Sequence, residues 1–394
     1  MAADRHRALV IVPPTVGHVN NGVALSKRLT DAGWKPVLLS GASAASYLST
    51  LGLGDSWRVS ECHDYETNAR LPHHRPHLLQ LSDPDRLTAC HRLELKLAAE
   101  FRAQLIVVKD YFSAVSTARH LKIPYIGYCT DGVESAIPEY SRQTIEGARA
   151  VADAADTSLA SLGCTERLGK MPGCLYDGLF SLVRGFRETD WVSSARRCES
   201  SRYQYAGFLV FDGTDDQLNA ARHIVRAVPR PFCYVNFGTV LRDESRLALL
   251  PALAQTAGLH LVVAHPEAPA LLAGRPGITA VRYLPNEIAL RHASVVLHHG
   301  GFGIMLSALR AGVPQIVLPD NERTSQRYHG LALQRLGVGM VAESTDDRVN
   351  WLAGSIKTLT SGSYSDLAAT LAARLAIRDK EIGAELNARL AGIS

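Results

Sequence analysis

Short apolar runs alternate with longer segments of helical spacing along the first half of this chain. Runs typical of buried strands occupy residues 8–14, 35–41, 104–110 and 124–129. Helical periodicity fills the intervals, first from Val19 to Ala32 and later around Ala114 and Ala118. Strand runs followed by helical patterns are typical of parallel sheets covered by helices, so we expect an α/β fold.

The second half repeats this alternation after Pro231. Its strand-like runs occupy residues 231–239, 259–265, 278–285, 294–300 and 314–319, and 337–343 is a candidate for a last strand. At ~100–200 residues per domain, a chain of 394 residues fits two domains. We therefore predict two Rossmann-like parallel-sheet domains facing a central cleft, with ligands at the carboxyl ends of the strands.

The predicted domain boundaries follow changes in composition. The first domain spans residues 1–212, and a polar stretch over 213–230 predicts an interdomain linker. The second domain spans 231–372. A C-terminal helix over 373–394 could pack back on the first domain.

Composition and charge exclude several classes of protein. A hydrophobic content of 46%, a charged content of 20% and a net charge of +4 are typical of globular proteins and give no case for nucleic-acid binding. The apolar run from Ala8 to Val12 is too short for a signal-peptide core or a transmembrane segment. Seven cysteines without a Cys-x-x-Cys pair favour a reduced, cytoplasmic protein with no zinc-ligand spacing.

The stretch from about Glu61 to Arg86 breaks the strand–helix rhythm. It is rich in His, Pro and Asp, and it predicts a long loop of the kind that is usually functional. Five potential metal ligands lie in it: His63, Asp64, His73, His74 and His77. Because their spacing lacks a helical i,i+4 geometry, we expect a solvated loop near a ligand and no metal ion or cofactor.

A glycine-rich turn joins the run 294–300 to a helical pattern. Glycines at 300, 301 and 303 allow backbone amides to approach an anion, and the helix N-terminus supplies positive potential. This junction predicts a phosphate site, with a plain tight turn as the alternative. It lacks the Gly-Lys-Ser/Thr of a Walker loop and the register of a dinucleotide fingerprint.

The segment HHGGFGIMLSALRAGVP, residues 298–314, resembles the donor-binding region of the family-one glycosyltransferases of GT-B fold. That family includes bacterial antibiotic-tailoring enzymes. The likeness extends to GHVN at 17–20, FGT at 237–239, YLPN at 283–286 and LP at 318–319. It implies an acceptor-binding first domain and a nucleotide-sugar-binding second domain. It also implies an inverting, metal-independent transfer of a sugar from a nucleoside diphosphate sugar to a small molecule.

The resemblance also implies roles for individual residues of the second domain. His299 would face the diphosphate, with the turn glycines Gly300 and Gly301 and the amides of Gly303 and Ile304 beside it. Thr239 would face a phosphate as well. The pyrimidine base would be flanked by Leu284, Pro285 and Asn286. The alternative for His299 is a purely structural histidine at a strand end.

Two departures from the family bear on the donor. The family commonly carries Ser/Thr and then Glu where this chain has Ile304 and Ser307, and that Glu holds the ribose hydroxyls of many uridine nucleotides. Its loss favours a thymidine diphosphate donor over a uridine diphosphate hexose. The sugar-contacting Asp-Gln pair of the family aligns with Arg323-Thr324 or with Ser325-Gln326. Either register favours a deoxy or amino sugar.

A candidate general base stands in the first domain. His18 follows the first strand and Asp110 ends a later one, so both lie at the carboxyl edge of the predicted sheet. Histidine suits the removal of a proton from a weak hydroxyl nucleophile, and a carboxylate orients and stabilises the imidazolium. The resemblance implies the same two roles. The alternatives are a helix-start residue for His18 and a helix N-cap for Asp110.

Other assignments stay open at this stage. An apolar acceptor pocket or an ordinary core could be formed by Tyr140, Met171, Leu175, Phe180 and Trp191. A sugar-nucleotide epimerase of the same architecture and a non-catalytic nucleotide-sugar binder are the competing functions. The acceptor, the attacking atom and the oligomeric state, including a homodimer, are not determined by the sequence.

Overall fold

The computed structural model describes residues 6–64, 83–129, 153, 156–157, 159–164, 178–190, 203–238, 244–319, 325–342 and 348–393. The chain divides into two compact units. The first unit comprises Met1–Arg184, Ser194–Phe211 and Glu381–Ser394. The second unit comprises Gly185–Ser193 and Asp212–Lys380.

A single parallel sheet organises the first unit. Its strands are β1 (Arg7–Ile11), β2 (Lys35–Gly41), β3 (Trp57–Ser60), β4 (Leu105–Val108), β5 (Tyr125–Cys129), β6 (Ser181–Val183) and β7 (Tyr203–Tyr205). They are ordered β3-β2-β1-β4-β5-β6-β7, and every neighbouring pair is parallel. All four residues of β4 are buried, as expected for a strand covered on both faces.

Helices cover both faces of this sheet. They are α1 (Val16–Asp31), α2 (Ala45–Ser49), α3 (Pro84–Phe101) and α4 (Phe112–His120), with 3₁₀ turns at Ala42–Ala44 and Glu61–His63. The start of α3 is set by Asp83, whose carboxylate accepts the amide of Arg86, and by a proline at the first helical position. Two apolar clusters result, one on each side of the sheet, around Phe112 and around Leu25.

The second unit repeats the architecture with six strands. They are β8 (Phe232–Asn236), β9 (His260–Ala264), β10 (Ile278–Val281), β11 (Val295–His298), β12 (Gln315–Val317) and β13 (Gly339–Val341). The order is β10-β9-β8-β11-β12-β13, again entirely parallel. The predicted fold class, two Rossmann-like parallel sheets in an α/β protein, is confirmed.

The helices of the second unit are numbered in chain order. They are α5 (Asp215–Arg226), α6 (Glu244–Ala248), α7 (Leu250–Ala257), α8 (Ala268–Leu272), α9 (Asn286–Leu290), α10 (Phe302–Ala311), α11 (Ser325–Arg335), α12 (Arg348–Leu359) and the long α13 (Gly362–Ala391). A 3₁₀ turn at Arg187–Thr189 also belongs to this unit. Within the described residues, no helix combines the length and apolar character needed to cross a membrane.

The polar stretch 213–230, predicted as a linker, instead contains α5. Thr214 and Gln217 form a reciprocal capping box at its start, and Ala221 and Val225 are buried in the second unit's core. The linker was predicted because the segment is mostly polar, but it forms an amphipathic helix with one narrow apolar stripe.

The end of α13 groups with the first unit. Leu386 and Leu390 are fully buried there, and the indole N–H of Trp34 donates to the carbonyl of Leu390 over 3.2 Å. Residues 65–82 of the predicted long loop, including His73, His74 and His77, lie outside the described residues.

Candidate functional site

The glycine-rich turn joins β11 to α10 at the carboxyl edge of the second sheet. Gly301 is the N-cap of α10 and, having no side chain, makes no side-chain cap hydrogen bond to this helix. Gly300 adopts a φ of 93°, which a side chain would disfavour. The N-cap residue therefore offers no side chain to the first-turn amides of α10, an arrangement that suits an anion.

Two buried histidines hold the polar groups of Gly300. Its N–H donates to Nδ1 of His298 over 3.1 Å, and its carbonyl accepts from Nδ1 of His329 over 2.6 Å. Because a backbone N–H can only donate, the proton of His298 must be on Nε2, which donates to Gln315 over 3.0 Å. The conformation of the turn is thus determined by side chains on β11, β12 and α11.

Burial also determines the charge of His298. Desolvation, aided by the neighbouring His299, lowers the pKa of His298 to about 3. The imidazole is neutral at pH 7, which is the form that can accept the Gly300 N–H.

The ring of His299 is wedged between two glycines. A methyl group at Gly238 would lie 2.9 Å from its Cε1, and one at Gly301 would lie 2.5 Å from its Nε2. Any side chain at either position would displace the imidazole. Since β8 pairs with β11, with Asn236 opposite His298, the two glycines and the ring meet at one edge of the sheet.

The start of α11 packs against the same turn. A methyl group at Gly300 would come within 2.7 Å of the Gln326 carbonyl oxygen. Ser325 and Gln326, one of the two predicted sugar-contacting pairs, are thereby brought beside the glycines. The other pair, Arg323 and Thr324, lies outside the described residues, as does Thr239.

A polar network ties the predicted base-binding residues to β8. The Asn286 side-chain carbonyl accepts from Tyr234 Oη and Asn236 Nδ2, each over 3.0 Å. The Tyr234 hydroxyl also lies 3.2 Å from the Leu284 carbonyl, and Pro285 is the N-cap of α9. Leu284, Pro285 and Asn286 are therefore held as a unit at the edge that carries His299.

The two positions that depart from the family are both buried. Ile304 is 5% exposed and packs in the core, so only its backbone amide lies at the helix start. Ser307 is 4% exposed, and its hydroxyl donates to the Gly303 carbonyl over 3.0 Å. The Ser307 hydrogen is thus engaged inside the helix, and a nucleotide contact by this side chain stays a prediction.

His18 and Asp110 follow neighbouring strands of the first sheet. β1 and β4 are paired with Ile11 opposite Val108, so both residues come after the carboxyl ends of adjacent strands. His18 lies half-buried in the first turn of α1, with Nδ1 3.2 Å from the hydroxyl of Thr15, the N-cap.

Asp110 is buried and adopts a left-handed φ of 66°. Its carboxylate accepts from the buried ammonium of Lys109 over 3.0 Å. The N-cap of α4 is Tyr111, so the interpretation of Asp110 as a helix cap is wrong. Left-handed backbone at a non-glycine residue is uncommon and concentrates at functional sites.

Sequence reasoning missed the residues that support the site. His329, Gln315 and Tyr234 reach it only through tertiary structure, and Lys109, although it directly precedes Asp110, belongs to no motif that marks it. Of the candidate acceptor-pocket residues, Phe180 is buried in the core, with the Arg389 guanidinium 4.0 Å from its ring centroid. The other four, Tyr140, Met171, Leu175 and Trp191, lie outside the described residues.

Comparison with known proteins locates the strongest likeness in the second unit. Residues 253–388 match the family described as the C-terminal domain of erythromycin biosynthesis protein CIII-like proteins. The 4'-demethylrebeccamycin synthase of Lentzea aerocolonigenes is 39% identical over 121 residues, which are 30% of this chain and 28% of that protein. The chain thus matches little more than a quarter of that relative's length.

Solved structures resemble nearly the whole chain. The glycosyltransferase VinC, in complex with DTDP, covers 98% of this chain and is itself covered completely, with a TM-score of 0.71 and 18% identity. Os79 from O. sativa, in complex with UDP, covers 97% of this chain and is also covered completely, with a TM-score of 0.71 and 19% identity. At these identities the likeness shows the fold.

Acidification should destabilise the fold through His298. The unfolded imidazole has a pKa of ~6.5, whereas the folded value is about 3. The stabilising contribution is therefore complete above pH ~6.5 and is lost as the pH falls toward the folded pKa. Between pH 6.5 and 5, the loss should be about 2 kcal/mol, at about 1.4 kcal/mol per pH unit.

Urea unfolding of the wild type and of His298→Asn at several pH values measures the contribution of His298 to the pH dependence of the free energy of unfolding. Asparagine offers an acceptor for the Gly300 N–H but cannot titrate. The free energy of unfolding should fall more steeply with acid in wild type than in the variant. Identical pH profiles for the two proteins would show that His298 does not carry this dependence.

Proposed function

We propose that this chain, which carries an erythromycin CIII-like C-terminal domain at residues 253–388 and has the GT-B fold, is an inverting, metal-independent glycosyltransferase. It moves a sugar from a nucleoside diphosphate sugar to a small-molecule natural product. The observation that carries the proposal is the position of the His299 ring, which lies between Gly238 and Gly301 beside the glycine-capped start of α10.

The diphosphate is the group whose charge grows as the glycosidic bond to the donor breaks. In this proposal, that charge is stabilised by the amides of Gly303 and Ile304 at the start of α10 and by the imidazole of His299. Preorganised donors of this kind stabilise a developing anion without reorganising during the reaction. The buried partners His298 and His329 keep the turn in the required conformation before the substrate arrives.

The acceptor is activated by His18 in the first unit. As a general base, His18 removes the proton from the attacking group while that group bonds to the anomeric carbon of the sugar. Asp110, at the end of the adjacent strand, supports the imidazolium that forms. The buried Lys109 ammonium donates to the Asp110 carboxylate and offsets its negative charge.

The donor is a thymidine diphosphate sugar, with a deoxy or amino sugar favoured. The position of the family's ribose-binding Glu holds Ser307, whose hydroxyl donates within its own helix. A carboxylate at this position would bind the ribose hydroxyls. Because a 2′-deoxyribose lacks the 2′-hydroxyl, it loses less binding energy than a ribose when the carboxylate is absent. VinC was solved with DTDP, which supports this choice, whereas Os79 was solved with UDP and shows that the fold accepts both nucleotides.

Replacing His18 should separate binding from chemistry. His18→Ala should lower kcat by ~10²–10⁴, the usual contribution of a general base. Affinity for the nucleoside diphosphate, measured by titration calorimetry, should stay unchanged because the donor residues lie on the second unit. Thr15→Val, which removes both the contact to Nδ1 and the side-chain N-cap of α1, should lower kcat by about 10-fold or less. Turnover near wild type in His18→Ala would remove the residue from this role.

Donor choice can be measured with a panel of nucleotide sugars. Release of the free diphosphate, followed with and without acceptors, should be faster with thymidine than with uridine diphosphate sugars. Thymidine diphosphate should also protect against thermal unfolding at lower concentration than uridine diphosphate. Acceptor-dependent release identifies transfer, whereas conversion of the sugar without an acceptor identifies an epimerase. Activity with uridine nucleotides alone would refute the donor assignment.

A further inference from the structure

Three potential metal ligands converge in the first unit, outside the residues assigned to transfer. The side-chain ligand atoms of Cys62, His63 and Cys90 all lie within 4.8 Å of one another. Cys62 and His63 belong to the 3₁₀ turn that follows β3, and Cys90 lies on α3. Cys62 is half-buried, whereas His63 and Cys90 are at most 1% exposed.

The spacing of these atoms matches one metal ion. Zn²⁺ binds thiolate sulfur at ~2.3 Å and imidazole nitrogen at ~2.0–2.1 Å, so two sulfur ligands of one ion are at most ~4.6 Å apart. Cys62 Sγ already lies 3.4 Å from His63 Nδ1. Two thiolates and an imidazole form a donor set that selects zinc over magnesium or calcium.

His63 is oriented as a metal ligand by a buried carboxylate. Its Nε2 donates to Glu94 over 2.9 Å, and its Nδ1 faces Cys62 Sγ, so loss of the Nδ1 proton on metal binding would direct a lone pair at the cluster. Metal-binding histidines regularly donate their far N–H to a carboxylate in this way. Cys90 and Glu94 are four residues apart on α3, so both project from one face of that helix.

Glu94 is itself held in place. It is fully buried, and it accepts from the hydroxyls of Ser113 and Thr117 over 2.8 and 2.9 Å. The carboxylate therefore has three hydrogen-bond donors, including His63. Such an arrangement costs desolvation of a charge, and a cation bound by His63 would compensate for it.

The turn that carries two of the ligands is anchored independently of any metal. The Tyr111 hydroxyl donates to the His63 carbonyl over 2.5 Å, and the Asp64 carboxylate accepts the amide of Ser43 over 3.0 Å. The ligands are thus preorganised. Because Tyr111 directly follows Asp110, the turn also adjoins the segment that carries the proposed partner of the general base.

We propose that Cys62, His63 and Cys90 form a zinc site, with Glu94 orienting His63 and one coordination position left to water. Binding releases the protons of the two thiols and ties the turn at Glu61–His63 to α3. The sequence predicted no metal because it lacks a Cys-x-x-Cys pair: the ligands come from two elements, and a tertiary contact unites them. A disulfide between Cys62 and Cys90 is the competing fate of the two thiols.

Cobalt binding to the whole 394-residue chain tests the site. Cys164→Ser provides the background, because Cys164 is a single thiol near His91 and His120 that could also bind cobalt. One equivalent of Co²⁺ should produce a thiolate-to-cobalt charge-transfer band, and Zn²⁺ should remove it. Adding Cys62→Ser should weaken the band, and adding Cys90→Ser as well should abolish it. Circular dichroism confirms that each variant is folded.

Glu94→Gln tests the orienting contact without removing a ligand. It should keep the charge-transfer band but weaken zinc binding by ~10–100-fold, the usual cost of losing such a partner. Zinc should also raise the Tm of the Cys164→Ser protein, and a chelator should reverse the shift. The proposal is overturned if the folded, reduced Cys164→Ser protein gives no such band. It is equally overturned if the band survives loss of both Cys62 and Cys90, or if only a Cys62–Cys90 disulfide is recovered and the reduced protein binds no cobalt.

Discussion

The proposed donor site depends on how the N–H and the carbonyl of Gly300 are held. His298 accepts the Gly300 N–H and His329 donates to its carbonyl, and both rings are buried. With Gly300 fixed at a positive φ, Gly301 caps α10 without a side chain, so the N-cap itself offers no side-chain partner to the first-turn amides. The same geometry places His299 against Gly238 and Gly301. One neutral, buried histidine therefore supports the orientation of the histidine beside it.

In both units, the proposed site residues lie at the carboxyl edge of a parallel sheet. In the second unit, β8 and β11 bring Asn236, Gly238 and His299 together, and the Tyr234 network fixes residues 284–286 at that edge. In the first unit, β1 and β4 lead to His18 and Asp110. Strand pairing thus accounts for the clustering of residues that are far apart in sequence, as the doubly wound topology requires.

Hydrophobic periodicity and the glycine-rich motif predicted the elements that are long or strongly apolar. β2 at Lys35–Gly41 matches the predicted run, and the junction at His298–Phe302 has the predicted strand–glycine–helix form. The strands β3, β6 and β7 were missed because their segments, WRVS, SLV and YQY, mix polar with apolar residues and form no continuous apolar run. His299 was predicted from its motif, whereas His329 lies on α11 and contributes only through tertiary packing. The proposed zinc ligands escaped prediction for the same reason.

The His299 ring, between Gly238 and Gly301, is proposed to bind a nucleoside diphosphate. Calorimetric titration of Gly301→Ala with thymidine diphosphate tests it most directly, because the added methyl would overlap Nε2 of His299 while Gly301 keeps an ordinary φ. Affinity should fall by about 10–100-fold, the equivalent of one charge-assisted hydrogen bond. Gly354→Ala, in open space on α12, should bind as wild type does. Wild-type affinity in a folded Gly301→Ala protein would contradict the account.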